Sequence, residues 1–350
     1  MTDVTKLAAL QTPQVFLDWV NRDSTQTNRL IQSGILTPDP DLGNKLLSAG
    51  LTVQIPVLND LTGDPQEWND STDITTDSID SDNETEVKFS DAKAFAFTDY
   101  SQQISGANVE QRIVSRFANY WNSVDETRTL ALVKTAFQND DIKTAKAFNV
   151  GSEKTLAPGD FIGALARMGD VINNTLTKIA VNSSAYGQMR RLNLIETIQG
   201  SVAGTTIDTY NGMLIVLDDS IPVDDSGTTY ALIYGNGAVK YSTATPANGL
   251  ATQRDELKLG GSTSIIQKRL STIHVAGTSL DTTQLTNGFA GFRTDLINGT
   301  QALYKPSNDP RNIQIVMYGF KVDKDLVVPG INTKKARKTS AASTTPAAGK

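Results

Sequence analysis

Apolar residues along the chain change their spacing several times, and each change marks an element. Val15, Phe16, Trp19 and Val20 form a short apolar face after Thr12-Pro13, a cap followed by Pro at the first helical position. Gly34, Pro38 and Pro40 end that segment, which is too small to bury its own aromatics and reads as an arm. Leu51, Val53, Ile55 and Val57 alternate as in a strand, and Pro56 points to an edge position. A polar stretch rich in Asp and Thr follows. A second alternating run, Glu86 to Tyr100, then carries Val87, Phe89, Phe95 and Phe97. Two strands joined by so long a polar excursion predict a projecting hairpin, because structureless loops of that length inside a domain tend to be functional.

From Asn108, Val109, Ile113, Phe117, Tyr120, Trp121, Val124, Leu130, Val133 and Phe137 recur at helical spacing. Asn108 with Gln111 resembles a capping box, and nothing breaks the pattern before Gln138-Asn-Asp-Asp141. The expected helix has about 30 residues and a length of ~45 Å. A different texture begins near Leu156. Phe161, Leu165, Met168, Ile172 and Leu176 predict an amphipathic helix. Lys178–Asn182 reads as a short strand, and Ser184 as the cap of a helix carrying Tyr186, Met189 and Arg190. Gly212–Leu217 and Tyr230–Tyr234 read as buried strands, so this region is mixed α/β. After Gly260-Gly261 strands dominate, at Ile265–Val275 and Ile313–Val322. The end, Ala336–Lys350, has nothing to pack.

Composition narrows the function. No cysteine is present, so disulfide and thiolate chemistry are excluded, and the single histidine, His274, thins out hydrolase and zinc readings. No apolar run reaches the roughly 18 residues of a membrane span. The first residues lack the pattern of a signal peptide, which predicts a protein made and used in a cytosol. The net charge of −6 is unevenly spread. Asp60 to Asp91 holds eleven acids against Lys88 alone, whereas the last twenty residues hold Lys334, Lys335, Arg337, Lys338 and Lys350 without an acid.

The acidic run offers one metal pattern. Asp80, Asp82, Glu84, Glu86 and Asp91 match calcium-loop spacing, but Thr85 stands where such a loop needs Gly, so a solvated loop meeting a basic surface on a neighbour is the better reading. Paired carboxylates could serve a glycosidase, yet only Trp68 lies near them. Gly235-Asn-Gly237 reads as a turn rather than a phosphate cradle. His274, between Ile273 and Val275, reads as a structural histidine. The stripe of Phe117, Tyr120, Trp121 and Phe137 reads as a core face, with Arg112, Arg116 and Arg128 on the polar side bordering a neighbour. The basic tail could touch DNA or simply solubilise the chain.

The order of arm, acidic two-stranded loop, very long helix, α/β domain and returning strands resembles the tailed-bacteriophage major capsid (coat) proteins of the Hong Kong 97 fold. Ile179-Ala-Val-Asn-Ser-Ser-Ala-Tyr-Gly-Gln-Met-Arg-Arg-Leu192 is similar to that family's strand, Asn and helix. Tyr210–Ser220 resembles its Gly, apolar strand and Asp element. Gln267–Gly277 followed by Asn308–Val316 resembles the basic strand, Ile-His turn and closing strand of one subfamily, although His-Val-Ala-Gly stands where a Pro is expected after the His. The likeness spans roughly residues 10 to 325 and rests on element order.

The resemblance implies an α+β, Hong Kong 97-type capsid fold. Its expected parts are an N-terminal arm (1–45), an extended acidic hairpin loop (46–104), a peripheral-domain spine helix (105–150), a mixed α/β axial domain (151–255), peripheral-domain strands (256–330) and a basic tail (331–350). It implies a non-enzymatic shell subunit that self-assembles into hexamers and pentamers of an icosahedral head around double-stranded DNA. No catalytic residue, metal or cofactor is expected. Partners would be other copies, portal, scaffold and decoration proteins, and DNA held without sequence specificity, with no membrane. Location would be the virion, after assembly in the bacterial cytoplasm. Candidate contacts between subunits are Trp19, Trp68, Asp70, Asp73, Asp77, Asp80, Asp82, Glu84, Arg112, Arg116 and Arg128. An encapsulin-like compartment shell is the alternative, and a carbohydrate-active enzyme a remote one.

Overall fold

The computed structural model describes residues 30, 33–58, 61, 63–68, 70–71, 73–76, 81–105, 109–151, 153–169, 178–199, 206–224, 226–235, 237–285 and 288–327. The expected arm helix with Trp19, the Asn108 cap and the basic tail lie outside these residues.

The chain runs β1 (Leu36–Pro38), α1 (Pro40–Leu46), β2 (Thr52–Leu58), β3 (Ser81–Val87), β4 (Phe89–Thr98), α2 (Asp99–Ser105) and α3 (Val109–Ala136). Next come α4 (Asp140–Lys146), β5 (Ala147–Phe148), α5 (Pro158–Ala166), β6 (Lys178–Val181), α6 (Ser183–Arg191), β7 (Glu196–Gln199), β8 (Thr206–Tyr210), β9 (Met213–Leu217) and β10 (Thr228–Tyr234). The remainder is β11 (Val239–Ala244), β12 (Leu250–Asp255), β13 (Ser262–Val275), β14 (Thr278–Leu280), α7 (Gly288–Asn298), β15 (Tyr304–Pro306) and β16 (Ile315–Lys321).

Helical periodicity is realised in α3, whose 28 residues span about 42 Å. Its first half lays Val109, Phe117 and Trp121 on Phe97 and Ile265, and its second half puts Leu130, Val133 and Ala136 into the largest core. It stops where Gln138 and Asn139 fold back onto Thr135 and Ala136, and Asn139 then caps α4 through the amides of Asp141 and Ile142.

Two main sheets share that core. The long strand β13 is the centre of the first: β4 pairs antiparallel along one side, and β11 and β12 along the other, with β1 beyond β11. The second has seven strands in the order β5-β16-β10-β6-β9-β8-β7. Leu232, Tyr234, Ile315 and Met317 put one face of it into the core shared with β13 and α3. The opposite face, with Ile179, Val181, Ile233, Val316, Tyr318 and Phe320, is covered by α5 and α6. Among the described residues no helix is long and apolar enough to cross a membrane.

Four expectations change. The hairpin's second arm is β3, not Glu86–Tyr100: the chain turns at Lys88 and β4 joins β13 in the five-stranded sheet. The Phe161 helix ends at Ala166, because Gly169 takes a left-handed φ of 68° after Arg167 and Met168 close back on Ala164 and Leu165. The α6 cap is Asn182 rather than Ser184, which lies buried inside the helix. The expected boundary at 255/256 does not follow the sheets. Strands β11 and β12 pair with β13, whereas β16 runs back through the seven-stranded sheet beside β10. Local patterns reveal strands but not which distant strand they will meet.

Asn182 ties these pieces together. It is buried, its Oδ1 accepts from the Ala185 amide at 2.7 Å, and its Nδ2 donates to Thr229 Oγ1 at 2.6 Å. Asn182→Ala should lower unfolding stability by about 1–3 kcal/mol, the sum of a lost cap and a lost buried hydrogen bond to Thr229, whose hydroxyl keeps the Pro222 carbonyl. Denaturant titration of the full chain checks this.

Candidate assembly surface

Among the described residues, strands β2 and β3 pair only with each other, in register from Thr52↔Val87 to Leu58↔Ser81. An isolated two-stranded ribbon is marginal in water, so its root must be held by other elements. Val53 packs on Leu42 and Leu46 of α1. Lys45 Nζ donates to the Gln54 carbonyl at 2.9 Å, and the Lys88 amide closes on the Leu51 carbonyl at 2.9 Å.

The stronger anchor is electrostatic. Glu84 and Glu86, two residues apart in a strand, face the same side, and they are only 7% and 1% exposed. Between them sits His274 of β13. Its Nε2 is 2.7 Å from Glu84 and its Nδ1 3.3 Å from Glu86. The Tyr304 hydroxyl donates to Glu86 at 2.6 Å, and Ser279 Oγ accepts from the Thr85 amide at 3.1 Å. Burial disfavours a charged imidazole, but the two glutamates outweigh it and push the His274 pKa up to about 9. The ring is therefore an imidazolium at neutral pH, clamped between two carboxylates.

This dismantles the calcium spacing. The glutamates flank opposite edges of the imidazole, so they do not converge on one ion. Asp82 is exposed, and Asp91 belongs to β4, where Arg128 binds it through two nitrogens at 2.5 and 2.7 Å and Arg293 adds a third contact at 2.9 Å. Burial alone would raise the Asp91 carboxyl, but the two arginines hold it below the usual carboxylate range. Among the described residues no group of three or more His, Asp or Glu is placed to hold a metal.

Beyond the root the picture reverses. Gln66 and Thr75 close the loop with paired hydrogen bonds, including Thr75 N to Gln66 Oε1 at 2.9 Å. Around that closure Leu58, Leu61 and Ile74 stand in solvent, and Trp68 is 90% exposed. Asp64, Glu67, Asp70 and Asp73 are exposed beside them. The tip is thus an acidic surface studded with apolar side chains, carried on a fixed root. Exposed apolar groups grouped in this way make the tip a candidate contact surface.

The candidate contact residues separate accordingly. Trp68, Asp70, Asp73 and Asp82 lie exposed on the hairpin and its loop. Trp19, Asp77 and Asp80 lie outside the described residues. Arg112 and Arg116 are half-buried on α3 and already engaged in interactions of their own. Glu84 and Arg128 have partners, His274 and Asp91, within their own chain. Sequence reading missed the His274 clamp. The alternation of Glu84 and Glu86 ahead of Val87 was its one local signal, and the partner lies 188 residues away from Glu86.

His274→Ala should destabilise the chain by about 3–5 kcal/mol, because it leaves buried carboxylates unpaired. The clamp's contribution is complete below the unfolded histidine pKa near 6.5 and is lost as pH rises through about 9. The stability gap between wild type and variant should therefore narrow from pH 6.5 to 9.5. Denaturation midpoints across that range check it, and a constant gap would contradict a charged His274.

No family model matches the chain. It is 29% identical over 325 residues to the major capsid protein of Bacillus phage SPP1, an alignment covering 91% of this chain and 98% of that one. Among solved structures, the capsid of cyanophage Pam1 superposes with a TM-score of 0.53 at 12% identity, covering 92% of this chain and 99% of that one. The capsid of Ralstonia phage GP4 superposes at 0.52 and 9% identity, covering 86% and 89%. The chain has the Hong Kong 97-type fold of these phage capsids, and its sequence is similar over nearly its whole length to one phage major capsid protein.

Proposed function

We propose that copies of this chain close into hexamers and pentamers and build an icosahedral head around double-stranded DNA. The observation that carries this reading is the near end-to-end sequence relationship to a phage major capsid protein, joined to a hairpin that is rigid at its root and exposed at its tip. The role is structural. The seven-stranded sheet with α5 and α6 serves as the axial domain, around which subunits meet. Strands β4, β11, β12 and β13 with α3 serve as the peripheral domain. The segment ahead of β1 would latch a neighbour.

The acidic tip would lie over the adjacent subunit, with Trp68 and Ile74 seated on apolar surface and Asp70 and Asp73 facing cations, which gives specificity of register. Arg112 and Arg116 would border the same contact. Obligate interfaces of this kind bury on the order of 2,000–5,000 Å². Portal, scaffold and decoration proteins complete the proposed partners, and assembly takes place in the bacterial cytoplasm. DNA is enclosed without sequence reading, since the sequence carries no groove-reading motif.

Residues Leu58 and Ser81 are the outermost pair of the hairpin. Replacing 59–80 by Asn-Gly should therefore keep the β2–β3 ribbon, because a two-residue turn fits that register. The expected outcome is a folded subunit that no longer gives stable shells, read by negative-stain microscopy and size exclusion beside the full chain. Shells of unchanged stability would remove the loop from the assembly mechanism. A full chain that stayed monomeric with scaffold and portal co-expressed would overturn the capsid reading itself.

A further inference from the structure

The middle turn of α3 carries two adjacent buried acids that face different sheets. Asp125 turns to the five-stranded sheet, where Arg269 of β13 binds it at 2.5 and 2.8 Å and the Tyr241 hydroxyl of β11 donates at 2.9 Å. Glu126 turns to the seven-stranded sheet and meets Asp218 and Ser220, in the turn that follows β9. Glu126 is 5% exposed and Asp218 3%.

Two buried carboxylates facing each other repel unless one keeps its proton. The hydrogen bonding around Asp218 supports that arrangement. Its Oδ1 accepts the Ser220 amide at 2.9 Å, while its Oδ2 is buried without a donor. A proton on Glu126 supplies the missing donor. The other titratable groups near Asp218 are Tyr230 and Tyr234 of β10, whose hydroxyls burial and Asp218 push upward, so both stay neutral. Burial first, then the charge of Asp218, pushes the Glu126 carboxyl up to about 8.

We infer that Glu126 and Asp218 form a one-proton latch between the long helix and the seven-stranded sheet, closed while they share a proton and open once both are ionised. The neighbouring contact does not follow. Arg269 is held above its ordinary value despite burial, by Asp125, so it keeps its charge throughout the alkaline range. Alkaline pH therefore releases the helix from one sheet and not from the other. The device is independent of what the chain assembles into, and it rests on contacts inside one subunit.

The test is amide hydrogen exchange of the full chain from pH 6.5 to 9.5, corrected for the intrinsic pH dependence of exchange. In the wild type, protection of Met213–Ile221 should fall about tenfold or more between pH 6.5 and about 8 and then level off, while Ser262–Arg269, the part of β13 away from His274, holds its protection. Glu126→Gln carries an amide that donates to Asp218 at every pH, so its protection should stay flat. Asp218→Asn offers the same rescue from the other side and serves if the first variant does not fold. Unchanged wild-type protection through pH 9.5, or loss in both amide variants over the same range as wild type, would overturn the latch. If neither variant folds, the wild-type pH series decides alone.

Discussion

The guanidinium of Arg269 is the contact around which the subunit is organised. It projects from β13, the one strand that pairs with β4, β11 and β12. It lies 4.5 Å over the ring of Trp121 and binds Asp125 through two nitrogens, both residues belonging to the long helix. Apolar packing between a helix and a sheet tolerates sliding, since one aliphatic neighbour replaces another at small cost. A buried ion pair does not, because displacement leaves an unpaired charge in a dry interior, at about 3–5 kcal/mol. Three positions along the chain, a little under one helical turn from Asp125, Arg128 stacks on Phe89 and binds Asp91. Two fixed points on one helix face set both the position and the direction of a 28-residue rod.

Much of this architecture is legible in the sequence because it depends on local periodicity. The long helix follows from apolar spacing between Val109 and Phe137. Strands such as Met213–Leu217 and Thr228–Tyr234 follow from short apolar runs between turn residues. What local pattern does not encode is partnership. Strand β16 reads as a strand, yet nothing within it announces that it will cross to the sheet of β10. The charge run from Asp60 to Asp91 reads as one solvated segment because its composition is uniform. In the fold it divides into an exposed tip, a buried clamp at Glu84 and Glu86, and an arginine-bound Asp91.

The same division explains why the candidate contact residues separate. A buried charge that its own chain has already paired has little left to offer another molecule. Asp70 and Asp73 remain exposed, whereas Glu84 and Arg128 are consumed by His274 and Asp91. Residue type and spacing did not distinguish these cases, since the deciding groups are supplied by β13 and by the helix more than thirty residues further on.

The clamped root has a mechanical meaning. A seven-residue ribbon with a loop beyond it is a lever arm, and at about 3.4 Å per residue its paired portion alone extends ~20 Å. A tilt of roughly 5° at the pivot would carry the outer end of the ribbon sideways by ~2 Å. Placing an imidazolium between two carboxylates at the pivot confines that angular play. Geometric tolerance at the far end of the arm is thus decided by a histidine that no neighbouring subunit need touch.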